Sequence, residues 1–378
     1  MIRGLPLAGF AVAALTPLPV VVAAQQPDVP ATGWVVASHP SVSIGQVEGP
    51  SEYLFSSVEA VDLLRGGGVV VANRGSSEVR VYSEQGEFEG AVGRSGEGPG
   101  EFMWLSWVAE CQLGVLHAYD VRLARVTRID LAPLQVTKTF TMTAPNLGRG
   151  FDAIGCLEGG FFGSSRILGA PPSAPGPVRL EVQLNIFDRA GTPQGGSRMF
   201  PGDDRYFFGN SVGPAPLGRQ TVFAGIGSHV FVGTQDDEPI RRFGLTAEYS
   251  DSIPVPWARR PVTPAIIESY VEGRAQLSSD PAGTRRLAQE YEFPPHLPSY
   301  GRMVADDAGI LWIEADSSTG ATGMWYLLDS SGSWLGSVEV PERFELHSVR
   351  GDHLAGVWRD DTDVEFIWIL ALDRPAAH

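Results

Sequence analysis

The chain has almost no lysine. Lys138 is the only lysine among 28 basic residues, and no run of basic residues occurs. Acidic residues number 44, which gives a formal net charge of −16. A surface that binds nucleic acid or an anionic membrane needs clustered Lys and Arg. The composition therefore predicts a protein that does not bind nucleic acid, and the acidity favours solubility through mutual repulsion.

Known catalytic motifs are also missing. The sequence contains neither a Gly-x-Ser-x-Gly nucleophile elbow nor a His-Glu-x-x-His zinc motif. The seven histidines are scattered along the chain, and the two cysteines, Cys111 and Cys156, are too few for a structural zinc site. These absences favour a protein that is not an enzyme and has no cofactor, with calcium the one ion left open.

Long apolar runs are missing after residue 24. Before it, Arg3 is followed by the uncharged stretch Leu5 to Val22, and small residues at Ala23-Ala24 are typical of a signal-peptide cleavage site. We predict that residues 1–24 are a signal peptide and that residues 25–378 form a single exported domain, periplasmic or secreted. The alternative is an uncleaved membrane anchor, whose last turns Pro17 and Pro19 would break.

What the sequence has in abundance is glycine, 45 residues, within a repeated strand–turn–strand pattern. Six times an apolar strand is followed by a turn with glycine and a second, strongly apolar strand. The six turns contain Gly68, Gly114, Gly160, Gly227, Gly309 and Gly351. A second hairpin follows in several copies, which makes four strands per repeat. The pattern predicts an all-β fold, a six-bladed β-propeller with four-stranded antiparallel blades.

Two segments lie outside the repeats. Residues 263–291 interrupt the pattern between blades 4 and 5, and we predict helices from Thr263 to Leu277 and from Pro281 to Tyr291. Thr263 before Pro264 is typical of a helix start. The insertion is either a cap over the propeller or a surface decoration. Residues 34–44 alternate like a strand and have no partner of their own, so we expect them to complete the last blade and close the ring.

The two cysteines occupy equivalent places in neighbouring repeats. Cys111 and Cys156 each lie near the end of an inner strand, in blades 2 and 3. Equivalent positions on adjacent blades can approach within disulfide reach. Together with the export signal, this spacing favours a disulfide over two small buried thiols.

Polar residues on the inner strands are the candidate ligand-binding residues, because the inner strand of each blade lines the central channel. These candidates are Glu59, Asp62, Glu110, Asp152, Tyr300, Arg302, Glu345 and His347. Several carboxylates converging on one axis would suit Ca²⁺. The same groups would also be stable as solvated side chains around a water-filled tunnel, which is the interpretation we favour.

A glycine-rich segment carries a family resemblance. Residues 93–102, Gly-Arg-Ser-Gly-Glu-Gly-Pro-Gly-Glu-Phe, resemble the pattern of an exported, largely uncharacterised family of six-bladed β-propellers related to NHL-repeat proteins. The resemblance extends to Leu297–Tyr300 and Asp307–Trp312, and it implies the fold but no function. We expect the segment to serve as a crossing between blades, since glycines fit where side chains would collide. The alternative is an anion-binding nest.

Two functions from different classes fit these observations. The first is a monomeric binding module that recognises a peptide, glycan or protein ligand through its loops and helical insertion. The second is a metal-assisted hydrolase or lyase, lactonase-like, with its site at the mouth of the channel, and it rests on analogy of fold alone. We favour the binding module. A common metal point shared by the channel carboxylates and His347 would favour the enzyme.

Overall fold

The structure is a computed structural model that describes residues 33–142, 151, 153–167, 174–209, 211–255, 259–316 and 323–375. The predicted signal peptide lies outside the described residues. Within those ranges, no helix is long and apolar enough to cross a membrane.

The strands form six antiparallel sheets, one for each repeat. Two short strands come first, β1 (Val35–Val36) and β2 (Val42–Ile44). Blade 1 consists of β3 (Val58–Leu63), β4 (Val69–Asn73), β5 (Glu78–Tyr82) and β6 (Phe88–Val92). Blade 2 consists of β7 (Leu105–Gln112), β8 (Val115–Asp120), β9 (Arg125–Leu131) and β10 (Leu134–Thr141). Blade 3 consists of β11 (Ala153–Leu157), β12 (Gly160–Ile167), β13 (Gly176–Asp188), β14 (Pro193–Phe207) and β15 (Val212–Pro214).

The second half of the chain repeats this plan with one helical interruption. Blade 4 consists of β16 (Val222–Ile226), β17 (His229–Gly233), β18 (Ile240–Phe243) and β19 (Tyr249–Ile253). The helices α1 (Pro264–Gln276) and α2 (Pro281–Ala288) follow. Blade 5 consists of β20 (Met303–Ala305), β21 (Leu311–Glu314), β22 (Met324–Leu328) and β23 (Trp334–Glu339). Blade 6 begins with β24 (Phe344–Arg350), β25 (His353–Arg359) and β26 (Glu365–Asp373). The predicted six-bladed propeller is confirmed.

Glycine sets the first turn of every blade. All six turns between the first and second strands contain a glycine with positive φ, between +51° and +94°. Side chains other than glycine rarely adopt this conformation, whereas glycine adopts it at little steric cost. The glycines are Gly68, Gly114, Gly159, Gly227, Gly309 and Gly351. The repeated turn therefore follows from the positive φ of its glycine, and the glycine can be recognised in the sequence.

The hydrophobic core is divided among the six junctions between blades. Each of six clusters of buried side chains takes its members from two neighbouring blades. Val69, Val70, Val71 and Ala72 of β4 are all fully buried, because both faces of the blade pack against a neighbour. The inner strands β3, β7, β11, β16, β20 and β24 contact one another in this order, and β24 returns to β3. This sequence of contacts closes a ring.

Blade 6 receives its outer strand from the other end of the described chain. Both β1 and β2 pair antiparallel with β26, in the registers Val35↔Asp373 and Val42↔Ile369. The backbone N–H of Ser41 and its hydroxyl both donate to the carbonyl of Ile369. The last blade is therefore complete only when the two ends of the ring have met.

The helical insertion lies between blades 4 and 5, as predicted. Thr263 caps α1 by accepting from the N–H of Ile266, and Asp280 caps α2 by accepting from the N–H of Gly283. Both helices have proline in their first turn. Local capping chemistry explains where each helix begins.

Candidate functional site

The two faces of the ring carry different features. All inner strands begin on one face, here the upper face, and end at the glycine turns on the lower face. Connections from an outer strand to the next inner strand lie on the upper face, and so do the residues that end each second strand. The helical insertion is such a connection. The extensions of β13 and β14 beyond β12 also rise from the upper face.

These two additions, residues 176–180, 201–209, 211–214 and 264–293, meet in an aromatic cluster. The ring of Tyr206 on β14 lies 5.2 Å from the ring of Tyr291 after α2, and its hydroxyl donates to the carbonyl of Glu290 at 2.9 Å. Phe208 and Phe293 extend the cluster through edge contacts with Tyr291. The helical insertion is therefore anchored to blade 3 across the upper face.

Three neighbouring blades each carry an arginine–glutamate pair on the upper face. In each pair, one partner lies at the start of the inner strand and the other at the end of the second strand. The pairs are Arg302–Glu314 at 3.3 Å in blade 5, Glu345–Arg359 at 3.0 Å in blade 6 and Glu59–Arg74 at 2.5 Å in blade 1. We name these six residues, together with Glu365, the charged rim.

The rim is continuous across the junction of blades 5 and 6. Nη1 of Arg302 lies 2.8 Å from Oε1 of Glu345, so Glu345 receives one arginine from each blade. Arg359 also pairs with Glu365 at 3.0 Å, and Glu365 accepts the backbone N–H of Val58 in blade 1. Burial opposes ionisation of Glu345, but His347, Arg302 and Arg359 together outweigh it and hold its pKa below the usual value.

His347 lies beneath this network on β24. Its Nε2 atom is buried, has no hydrogen-bond partner among the described residues and lies 3.6 Å from Oε1 of Glu345. Burial lowers the pKa of His347 to about 4, the carboxylate of Glu345 opposes the shift, and Arg302 and Arg359 reinforce it. The imidazole is therefore neutral at pH 7.

Two cavities approach this point from opposite faces. The upper cleft has a volume of about 510 Å³ and is lined by residues of blades 4, 5 and 6, among them Gln220, Gln235, Arg302, Arg343, Glu345 and Arg359. The lower cavity, about 1620 Å³, opens among the glycine turns of all six blades and reaches His347. No described residue lines both cavities. Glu345 and His347 thus form part of the partition between them.

The predicted candidates Asp62 and Glu110 connect blades. Asp62 accepts from Ser348 Oγ of blade 6 at 2.7 Å and from the N–H of Glu110 in blade 2 at 2.8 Å. Glu110 in turn accepts the N–H of Arg65 in blade 1 at 2.6 Å. Their carboxylate oxygens are therefore engaged in holding three blades together at the channel wall.

Of the other candidates, the structure brings together Arg302, Glu345 and His347, and it places Glu59 on the same face in the next blade. Tyr300 is fully buried, its hydroxyl accepts the N–H of Gln235 at 3.3 Å, and burial raises its pKa. Its ring packs between blades 4 and 5, and Tyr300 also lines the upper cleft. Asp152 lies outside the described residues. Binding roles for all these residues stay predictions.

The glycine-rich segment forms the crossing from blade 1 to blade 2. The guanidinium of Arg125 donates to the carbonyls of Glu97, Gly98 and Glu101, which holds the loop against blade 2. The carboxylate of Glu101 accepts the N–H of Gly98 at 2.7 Å. The N–H of Gly98 is therefore already bonded to a carboxylate of the loop itself. This favours the crossing over an anion-binding nest, in which such an N–H group would face a ligand.

An exposed indole follows this crossing. Trp104 immediately precedes β7, so it lies on the upper face, and 44% of its surface is exposed. The guanidinium carbon of Arg74 lies 4.8 Å from its ring centroid. The sequence pattern alone assigns no role to Trp104, Arg74 and Arg359. The last two occupy the same place in repeats 1 and 6, directly after or at the end of the second strand, and that signal was available.

The cysteines are joined as predicted. Cys111 of blade 2 and Cys156 of blade 3 form a disulfide with their Cα atoms 5.3 Å apart. It links the inner strands β7 and β11 and lies in the wall of the lower cavity. Structural disulfides are typical of oxidising, extracytoplasmic compartments.

A metal centre was the feature expected to favour an enzyme. Among the described residues, no group of three or more His, Cys, Asp or Glu side chains is arranged to hold a metal ion. In the charged rim, carboxylates face arginines, whose positive charge opposes cation binding. The arrangement of the rim is suited to hydrogen bonding with a polar ligand.

Comparisons with known proteins agree with the fold. Residues 38–135 match the family model described as DUF5128, 6-bladed beta-propeller, so the predicted family resemblance is confirmed. The solved structure of a Bacteroides fragilis protein described as a candidate exported protein matches with a TM-score of 0.51 and 14% identity, over 92% of this chain and 98% of that one. No curated protein matches the sequence.

Two further solved structures are similar at lower scores. A gluconolactonase from Xanthomonas campestris matches with a TM-score of 0.44 and 13% identity, over 85% of this chain and 87% of that one. A member of the duf4221 family from Bacteroides vulgatus matches with a TM-score of 0.44 and 8% identity, over 91% and 100%. At such identities the likeness concerns the fold alone, and function has to be argued from the site.

Proposed function

We propose that the protein is a monomeric binding module, periplasmic or secreted, that holds a peptide, glycan or protein ligand on its upper face. The observation that carries this proposal is the upper cleft. Its volume of about 510 Å³ lies in the range of ligand sites, and its walls include four residues of the charged rim, Arg302, Glu314, Glu345 and Arg359.

The polar groups of the cleft are held in place before any ligand arrives. Arg302 is fixed by Glu314 and Glu345 together, and Arg359 by Glu345 and Glu365. Each guanidinium has five N–H donors, and these pairs use only some of them. Fixed donors with spare capacity bind a ligand at a lower entropic cost than mobile ones.

Arg343 provides the most direct test. It lines the upper cleft, half of its side chain is exposed, and its ion-pair partner Asp361 is almost fully exposed, so the pair contributes little to stability. We expect Arg343→Ala to weaken ligand binding about ten-fold or more, because a hydrogen bond to a charged group is lost. The matched control is Arg65→Ala, which removes an exposed arginine at the lower cavity.

The experiment screens the mature protein against a peptide library and a glycan array and then measures the affinity of each binder by calorimetry. Binding that depends on Arg343 and tolerates Arg65→Ala supports the upper cleft. The opposite dependence would place the site at the lower cavity. The enzyme alternative has no observation of its own among the described residues, since they hold no cluster of three metal ligands.

A further inference from the structure

The carboxylates around the arginines of the upper cleft are already engaged. Arg302 and Arg359 donate to separate oxygens of Glu345, and Glu365 accepts from Arg359 and from a backbone N–H of blade 1. Oε2 of Glu314 accepts both the backbone N–H and the Nε–H of Arg302. Among the described residues, five of these six carboxylate oxygens therefore accept a hydrogen bond.

The arginines, in contrast, keep spare donors. Arg302 donates through Nε and Nη1, and Arg359 donates through Nη1 and Nη2. Nη2 of Arg302 and Nε of Arg359 thus have no hydrogen-bond partner within the part of the chain that the structure describes. Both side chains line the cleft and are about a third or more exposed. Because a guanidinium only donates, a ligand in this cleft has to supply acceptors.

Arg343 adds a third guanidinium from a strained backbone position. It is the third residue of a turn in which the N–H of Phe344 donates to the carbonyl of Pro341 at 3.2 Å, and its φ is +61°. A positive φ at that position of a turn favours glycine. Strained residues other than glycine cluster at ligand-binding sites. The strained arginine lines the cleft, so its position there is an observation independent of the spare donors.

We infer that the upper cleft recognises a carboxylate group of its ligand, with Arg343 as the main counter-ion and Arg302 and Arg359 as additional donors. A planar carboxylate accepts two parallel N–H bonds from one guanidinium, and such charge-assisted bonds are stronger than bonds to neutral groups. Its competitor for Arg343 is Asp361, whose side chain is 97% exposed and therefore binds the arginine weakly. This inference rests on the proposed function, since it names the chemical group that the same cleft binds.

The charge balance of the cleft limits how much negative charge it accepts. The lining contains three arginines and three acidic residues, so its formal charge is zero; they are Arg302, Arg343, Arg359, Glu314, Asp316 and Glu345. The whole chain has a formal charge of −16. A single carboxylate that pairs with an arginine is compatible with this balance, whereas repulsion from the neighbouring acids disfavours a polyanion such as phosphate.

The test uses pairs of ligands that differ in one carboxylate. One arm compares a library of peptides with free C-termini with the same peptides as C-terminal amides. The other compares oligosaccharides of uronic acids with their methyl esters. We expect the mature protein to bind free acids in one arm and to bind their amides or esters at least ten-fold more weakly, as measured by calorimetry. The two arms distinguish a peptide source of the carboxylate from a glycan source.

Arg343→Gly separates binding from stability. Glycine adopts a φ of +61° without strain, so we expect the variant to melt within a few degrees of the wild type and to bind the acid at least ten-fold more weakly. Arg343→Lys keeps the charge and loses the paired N–H geometry, so we expect it to lose affinity as well. Arg65→Ala serves again as the control.

The outcomes separate this inference from the proposed function. Equal affinity for an acid and its amide or ester, with binding that still needs Arg343, overturns the carboxylate and leaves the binding module standing. Binding of acids that tolerates Arg343→Gly and is lost in Arg65→Ala overturns the inference and also contradicts the upper cleft. Failure to bind any acid in either arm overturns the inference, and the proposed function then survives only if the earlier peptide and glycan screen yields a neutral ligand that needs Arg343.

Discussion

At the scale of single residues, polar groups near the channel have two different roles. Asp62 and Glu110 accept backbone and hydroxyl hydrogens from neighbouring blades, so their removal would leave buried donors unpaired. Glu345 faces two arginines on a surface that a ligand can reach. Asp62, Glu110 and Glu345 are all carboxylates on inner strands, so their different roles follow from their different hydrogen-bond and ion-pair partners.

Buried His117 predicts a pH dependence of stability. It is 5% exposed, and burial, reinforced by Arg128 and Arg189, lowers its pKa to about 4. An unfolded histidine has a pKa near 6.5, so on acidification the unfolded chain takes up this proton first. The contribution is therefore fully present above pH 6.5 and is lost as the pH falls towards 4, on the order of 3 kcal/mol.

The measurement is thermal unfolding of the wild type and of His117→Phe at pH 7.5 and pH 4.5. Phenylalanine preserves the edge contact with Phe161 and cannot be protonated. We expect the melting temperature of the variant to fall less on acidification than that of the wild type. Equal falls would show that His117 does not control acid stability, since the titrating carboxylates are common to both proteins.

Sequence reasoning reached the positions of these residues but not their partners. The turn glycines and the helix caps are local features, so the six blades and both helices follow from residues close together in the chain. Asp62 was placed near the channel, yet its bonds to Ser348 and Glu110 depend on how closely neighbouring blades approach. Alternation along a strand says which side a residue faces and nothing about that distance. The packing of Tyr300 also depends on how closely two blades approach, because Gly233 leaves room for its ring.

At the scale of elements, the disulfide joins the inner strands of blades 2 and 3. It closes a loop with a sequence separation of 45 residues, which contains most of blade 2. A cross-link of that span is expected to stabilise the fold by about 2–4 kcal/mol, chiefly by restricting the unfolded chain. The junction that it bridges also contains buried aromatic side chains, and we expect these to stay packed when the bond is removed.

We therefore expect the double variant Cys111→Ser, Cys156→Ser to fold and to unfold at a lower denaturant concentration than the oxidised wild type. Urea unfolding followed by circular dichroism measures the difference. Adding a reductant should lower the midpoint of the wild type and leave that of the double variant unchanged. A reductant effect of equal size on both proteins would contradict the role given to the bond.

At the scale of the whole molecule, the ring is held closed by the pairing of β1 and β2 with β26. An unclosed ring would expose the edge of β26, and exposed edges recruit other chains. The core cluster between blades 6 and 1 depends directly on this closure, because it includes Ile44 of β2.

Ser41→Pro tests the closure. The proline removes the N–H that bonds to the carbonyl of Ile369 and disfavours the paired strand, whereas the matched control Ser41→Ala keeps that N–H. We expect the proline variant alone to lose about 1–3 kcal/mol of unfolding free energy and to form soluble aggregates on size-exclusion chromatography. Equal melting temperatures for the proline variant and the alanine control would show that the ring stays closed without this strand pairing.

The same closure sets an order of events during synthesis. Ser41 and Ile369 are 328 positions apart in the chain, so the first of these two segments is made long before its partner exists. Until β26 emerges, every partial chain has an open blade and cannot complete the ring. If the chain crosses a membrane with its N-terminus first, as the predicted signal peptide implies, β1 and β2 reach the far side before any blade does. They stay unpaired there until β26 has also crossed. Because β26 is the last strand to be exported, the ring closes only when export of the chain is nearly complete. Only then can the protein become a single cooperative structure.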